Sequence, residues 1–278
     1  MRLAVAALLA ALIAGPVAAD TTGLRRLTER DDLLGWEAVG RVDLGEDGYC
    51  TGTLIAPDLV LTAAHCVFSP GGSLRNPAAM TFRAGLRDGR AIAERTVARV
   101  AVTTGYVGGA ETSAENIRLD AALLQLDTAI TAGDAAPFLI SDGVTGGGEI
   151  SVVSYAQGRD NALAIQRGCN ILWRQQGLLA FNCDVSFGSS GAPVFDWSGR
   201  RARIVSIISA GNRDERGTVA YGMELPDLVN ALKGQLRSGH GVIEAADASP
   251  DATAKVKIAR ATSEGARTSA RFLRPASP

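Results

Sequence analysis

The chain has 278 residues, 46% hydrophobic and 21% charged, which is enough apolar material for a sizeable core and too little charge for a disordered polymer. That length fits one large or two small domains. Its 28 basic and 29 acidic residues give a formal net charge of -1, without the basic excess of a nucleic-acid binder, so that class of partner is excluded.

Residues 1–19 read as a signal peptide. Met1-Arg2 supplies a short positive start, an apolar run follows to Ala14, and Val17-Ala18-Ala19 is a small-residue cleavage pattern. The run is shorter than the about 20 residues a membrane-spanning helix needs, and no later stretch resembles a span. The expected location is secreted or periplasmic. Residues 20–35 are polar and charged, a leader or an arm that wraps the surface.

From Trp36 onward, short apolar runs alternate with Gly, Pro, Asp and Asn punctuation. They fall at 38–42, 51–55, 59–62, 80–84, 92–102 and 121–126, and again at 150–155, 168–173, 178–182, 193–196, 204–209 and 219–223. This is the rhythm of an all-β barrel or sandwich. Small residues at 128–137 read as a linker, which divides the chain into β units at 36–130 and 131–237. The second ends in a helix at 226–237, with Pro226 and Asp227 at its start and Leu228, Val229, Leu232 and Leu236 on one face. Residues 238–278 turn to small residues, proline and mixed charge, and disorder is expected there. No repeat is present, and a monomer is expected.

Export makes the four cysteines informative, because exported chains meet oxidising conditions. They allow three pairings, of which Cys50 with Cys66 and Cys169 with Cys183 are nearest neighbours. Metal binding competes poorly: there is no CxxC pair and only two histidines, so neither metal nor cofactor is expected.

Histidine is the commonest general base near neutral pH, and His65 follows an apolar run in the string TAAHC at 62–66. Ala63 and Ala64 permit close packing, and Cys66 offers a staple. A bland reading is a histidine packed beside a disulfide. The string GSSGAP at 188–193 holds a hydroxyl, Ser190, between glycines able to take the dihedrals of an oxyanion-binding turn, although most such strings are plain loops. Asp120, in DAALL at 120–124, either caps a strand or holds an imidazole tautomer.

In the order His, Asp, Ser, these strings resemble the chymotrypsin-fold (trypsin-like) serine peptidases. CTGTLI at 50–55 and IVSIISAG at 204–211 are lesser echoes, and the sixteen-residue spacing of Cys50 and Cys66 matches the family's disulfide beside its histidine. The resemblance covers residues 36–237. It implies two six-stranded antiparallel Greek-key barrels with a C-terminal helix, a cleft between them, and protein or peptide substrates. It also implies Ser190 as nucleophile, His65 as general base and acid, Asp120 orienting His65, and the amides of Gly188 and Ser190 as the oxyanion hole.

Two departures stand out. Ser189 occupies the position where the digestive members carry the Asp that pairs with a freshly cut N-terminal ammonium. The pattern is closer to the bacterial glutamyl-endopeptidase-like branch, and the oxyanion hole is expected to be preformed or ordered by other contacts. Asp184, six residues before Ser190, stands where trypsin-like members hold the Asp of the primary pocket, which would select Arg or Lys. Cys183-Asp184 is also similar to the Cys-Asp-Thr segment of bacterial members with other specificities, so the spacing leaves both readings open. Ser209, Ala210 and Gly211 would form the pocket edge, and Ile208 stands where glutamyl-specific members carry histidine.

Two other functions compete. Ser190, Asp214 or Asp227, and His240 have the chain order of an α/β-hydrolase, but the short strand rhythm opposes that fold and leaves His65 idle. The alternative within the family is a weakly active or non-catalytic homologue acting as a binding module. All three triad residues are present, which favours the enzyme.

Overall fold

The computed structural model describes residues 23–143, 149–197, 201–214 and 217–245. The signal peptide expected at residues 1–19 and most of the tail expected to be disordered, from residue 246 on, lie outside the described residues.

The first barrel is built from β2 (Val39–Asp43), β3 (Tyr49–Ala56), β4 (Leu59–Thr62), β5 (Thr81–Ala84), β6 (Ala93–Val102) and β7 (Ala122–Leu126), preceded in the chain by β1 (Leu24–Arg26). Strand order β6-β5-β2-β3-β4-β7 is closed by a further β6–β7 pairing, so these six strands form a closed ring. The alternation is plain in β5, where Phe82 and Ala84 point inward and Thr81 and Arg83 outward. Gly40 on β2 lies against the Phe82 ring, where a Cβ would come within 2.4 Å of it.

The second half contains β8 (Glu149–Ser154), β9 (Ala164–Gln175), β10 (Leu178–Phe181), β11 (Pro193–Asp196), β12 (Arg203–Ile207), β13 (Ala210–Asp214) and β14 (Gly217–Met223). They form an antiparallel sheet in the order β12-β11-β8-β9-β10-β14-β13. This sheet curls without ladder closure. A side chain bridges the seam instead: the Ser206 hydroxyl donates to Met223 O at 2.7 Å and accepts from Met223 N at 3.0 Å.

One core cluster fills the first barrel and continues through Val153, Tyr155, Leu163 and Phe195 into the inter-barrel contact. A second, including Ile150, Phe181, Val194 and Ala220, fills the other sheet. Disulfides join Cys50 to Cys66 and Cys169 to Cys183.

Three segments make contacts that local sequence patterns do not fix. The polar stretch near the N-terminus is an integral strand: β1 pairs with β9, and Leu27 after it is fully buried with its N–H bonded to Leu163 O at 2.8 Å. The helix α2 (Pro226–Ser238), which follows a short α1 (Ala114–Arg118), packs its Val229, Leu232 and Leu236 face back on β6 and β7 of the first barrel. Gly239 ends it in the left-handed region at φ 73°. Beyond it, where disorder was expected, β15 (Val242–Glu244) pairs with the stretch of the β6 edge that β5 leaves uncovered, with Glu244 paired to Arg99. Among the described residues no helix is long and apolar enough to cross a membrane.

Candidate active site

Antiparallel register brings His65 and Asp120 together. Thr62 at the end of β4 lies opposite Ala122 at the start of β7. The chain then leaves β4 into a single turn (Ala64–Val67) carrying His65, and it enters β7 from Asp120, at the same end of the barrel. The Asp120 carboxylate accepts the His65 main-chain N–H at 2.8 Å through Oδ1 and meets His65 Nδ1 at 2.7 Å through Oδ2. The Ser209 hydroxyl donates to Oδ2 as well, at 2.5 Å.

Three donors thus converge on one carboxylate whose side chain is 4% exposed, whereas His65 keeps 35%. Burial alone would depress the His65 pKa, but the Asp120 charge and hydrogen bond outweigh it, and the imidazole titrates above its ordinary 6.5. With Nδ1 facing the carboxylate, Nε2 is the nitrogen left for other chemistry.

Ser190 arrives from the second barrel, in the turn that leads into β11. The turn depends on its glycines. Gly188 has φ +88°, and a Cβ there would meet the Tyr49 ring at 2.3 Å. Gly191 has φ +74°, and a Cβ would strike Thr62 Oγ1 at 2.3 Å and Thr51 O at 2.4 Å. A cleft of about 400 Å³ between the barrels is lined by His65, Asp120, Gly188, Ser190, Ser209 and Ala210, among others. Among the described residues the Ser190 hydroxyl takes no hydrogen-bond partner, while His65 and Ser209 are bonded to Asp120.

A family model described as a trypsin-like peptidase domain matches residues 50–202, a span that contains His65, Asp120 and Ser190. The chain belongs to the trypsin-like peptidase family. It is therefore a serine endopeptidase, a hydrolase of protein or peptide substrates. Solved structures share its fold. A Glu endopeptidase in complex with MPD is 21% identical with a TM-score of 0.63, covering 80% of this chain and 99% of its own. The protease Anisep from Arthrobacter nicotinovorans is 17% identical with a TM-score of 0.59, covering 73% and 96%. The thermostable serine protease AL20 from an extremophilic microorganism is 19% identical with a TM-score of 0.59, covering 73% and 98%. No curated protein sequence matches the chain.

The remaining residues expected at the peptidase's site are placed differently from one another. Ser209 and Ala210 line the cleft, and Ser209 has the additional bond to Asp120. Gly211 and Asp184 are not among the lining residues. The Asp184 carboxylate is bonded to the Arg213 guanidinium, and its N–H donates to the Gln166 side chain at 2.6 Å. His240 is exposed beyond α2, and Asp227 opens that helix.

Cys50, His65 and Cys66 hold potential metal-ligand atoms within 4.8 Å of one another, but the two sulfurs are bonded together and offer no thiolate. Sequence reasoning missed Thr51, Tyr49 and Gln157, which hold the nucleophile turn. Tyr49 packs beneath Gly188, and burial followed by the Asp160 charge pushes its phenol up to about 12, so it stays neutral.

Proposed function

We propose that this peptidase is secreted and cleaves peptide bonds through an acyl-enzyme on Ser190. The observation that carries this reading is the bonding of His65 to Asp120 in the cleft that Ser190 also lines. In the proposed cycle, His65 Nε2 takes the Ser190 proton as the oxygen attacks the scissile carbonyl. The carbonyl oxygen becomes negative and is held by the Gly188 and Ser190 N–H groups, donors worth about 3 kcal/mol of barrier each. The C–N bond then breaks, the amine leaves with the proton from His65, and an ester remains on Ser190. Water, deprotonated by the same imidazole, releases the acid and restores the hydroxyl. Asp120 holds the tautomer with Nδ1–H throughout and stabilises the imidazolium. Two disulfides support export to an oxidising compartment, where the signal-like start at residues 1–19 would direct the chain.

A preference for Arg or Lys would require the Asp184 charge to be free for substrate. Arg213 engages that charge, so a basic side chain of the substrate competes with an internal one, and Arg/Lys preference in the native enzyme is weak. Casein or peptide-library cleavage by the wild type, absent in Ser190→Ala, tests the assignment. Equal turnover by both would overturn it.

A further inference from the structure

The main-chain carbonyls of residues 187–190 all have donors. Phe187 O accepts from Gln157 N at 2.8 Å, Gly188 O from the Thr51 hydroxyl at 2.9 Å, Ser189 O from Ala192 N at 2.9 Å, and Ser190 O from Thr51 N at 2.8 Å. Among the described residues, the N–H groups of Gly188 and Ser190 have no partner. Every peptide here is trans, so each N–H points opposite to the carbonyl in its own plane. Fixing Phe187 O and Ser189 O therefore aims the Gly188 and Ser190 N–H groups the other way, as two free donors.

Thr51 is the junction of this arrangement. It sits on β3 of the first barrel, fully buried, and its hydroxyl has a longer contact to Tyr155 O at 3.3 Å beside the shorter one to Gly188 O. Besides its bonds to Gly188 and Ser190, its hydroxyl accepts from Tyr155 N at 3.0 Å, and its carbonyl accepts from the Thr62 hydroxyl at 2.9 Å. The Tyr155 contact anchors the segment that continues to Gln157, the donor on Phe187 O. The Thr62 contact anchors the strand that leads to His65.

The position where digestive members use a charged Asp holds instead a fully buried Ser189. Its hydroxyl has only long contacts, to Ser186 N at 3.3 Å and Ser154 Oγ at 3.4 Å. Those contacts are too weak to fix the turn on their own.

We propose that Thr51 is a positioning residue that holds the Gly188–Ser190 turn in its oxyanion-binding shape from the opposite barrel, in place of an N-terminal ion pair. This rests on the Ser190 acyl-enzyme reading. The hydroxyl fixes the peptide after Gly188, and Gln157 fixes the peptide before it, whose rotation would put the Phe187 carbonyl where the oxyanion develops.

Thr51→Val keeps the side-chain shape and removes only the hydroxyl. Its kcat is expected to fall at least about tenfold with KM nearly unchanged, short of the about 100-fold or greater loss seen when a donor itself is deleted. Thr51→Ser is expected to restore kcat. Affinity for a peptide boronate, which mimics the tetrahedral adduct, should fall in parallel with kcat, a coupling that a loss of stability alone does not produce. Should the valine variant not fold, Thr51→Ala, which introduces no bulk, is read in the same way. Wild-type kcat and boronate affinity in either folded variant, with Ser190→Ala inactive, overturns the role of Thr51 alone. Activity surviving in Ser190→Ala overturns the acyl-enzyme reading beneath it.

Discussion

The guanidinium of Arg213 holds the carboxylate of Asp184, joining the hairpin of β13 and β14 to the segment six residues before Ser190. The carboxylate proposed to select basic substrates is thus neutralised by an internal guanidinium. Replacing Arg213 with Ala should free it. The expected outcome for Arg213→Ala is a rise of about tenfold in kcat/KM for a chromogenic peptide ending in Arg, with a Phe peptide unchanged. No rise would show that Asp184 does not face the substrate.

With His65 as the proposed general base, the sign of the pH dependence follows from its raised pKa. The general base must be neutral, so kcat/KM should fall on acidification with a midpoint above 6.5, the ordinary histidine value. Asp120→Asn removes the cause of the shift, so the midpoint should move down while the rate drops by about four orders of magnitude, as in the well-characterised triad enzymes.

Stability runs the other way. Because the folded-state pKa is raised, the contribution of the charged pair is fully present below 6.5 and lost as pH rises through the raised value. In a Ser190→Ala background, which prevents self-digestion, the Tm advantage over Ser190→Ala/His65→Gln should shrink as pH rises. A constant difference would contradict the shift.

The N-terminal arm is part of the fold through β1 and Leu27. Leu27→Ala should cost about 2–5 kcal/mol in denaturant unfolding, the range for a buried leucine. The active enzyme should retain the arm, which N-terminal sequencing of purified protein would check. A fully active, equally stable species beginning after residue 34 would show that the arm is dispensable.

His65, Asp120 and Ser190 were legible as candidates because each sits in a short local string: a histidine after small residues, a carboxylate ahead of an apolar strand, a serine between glycines. The helix α2 was legible from its apolar spacing, but the strands it covers, β6 and β7, are set by tertiary packing that no local pattern records. β1 and β15 are three residues each, too short for any periodicity, and exist because a longer strand offers them an edge. Thr51 escaped notice because its partner Gly188 lies 137 residues away and a lone threonine in a strand resembles any other. Asp184 was visible, but its occupation by Arg213 depends on how a hairpin folds over it.

In the proposed mechanism Ser190 is the nucleophile and His65 its base. The most direct measurement is fluorophosphonate labelling followed by peptide mass mapping of the wild type, Ser190→Ala and His65→Ala. One adduct on Ser190 in the wild type, none in Ser190→Ala and strongly slowed labelling in His65→Ala is the predicted result. An adduct on another residue, or equal labelling rates with and without His65, would contradict it.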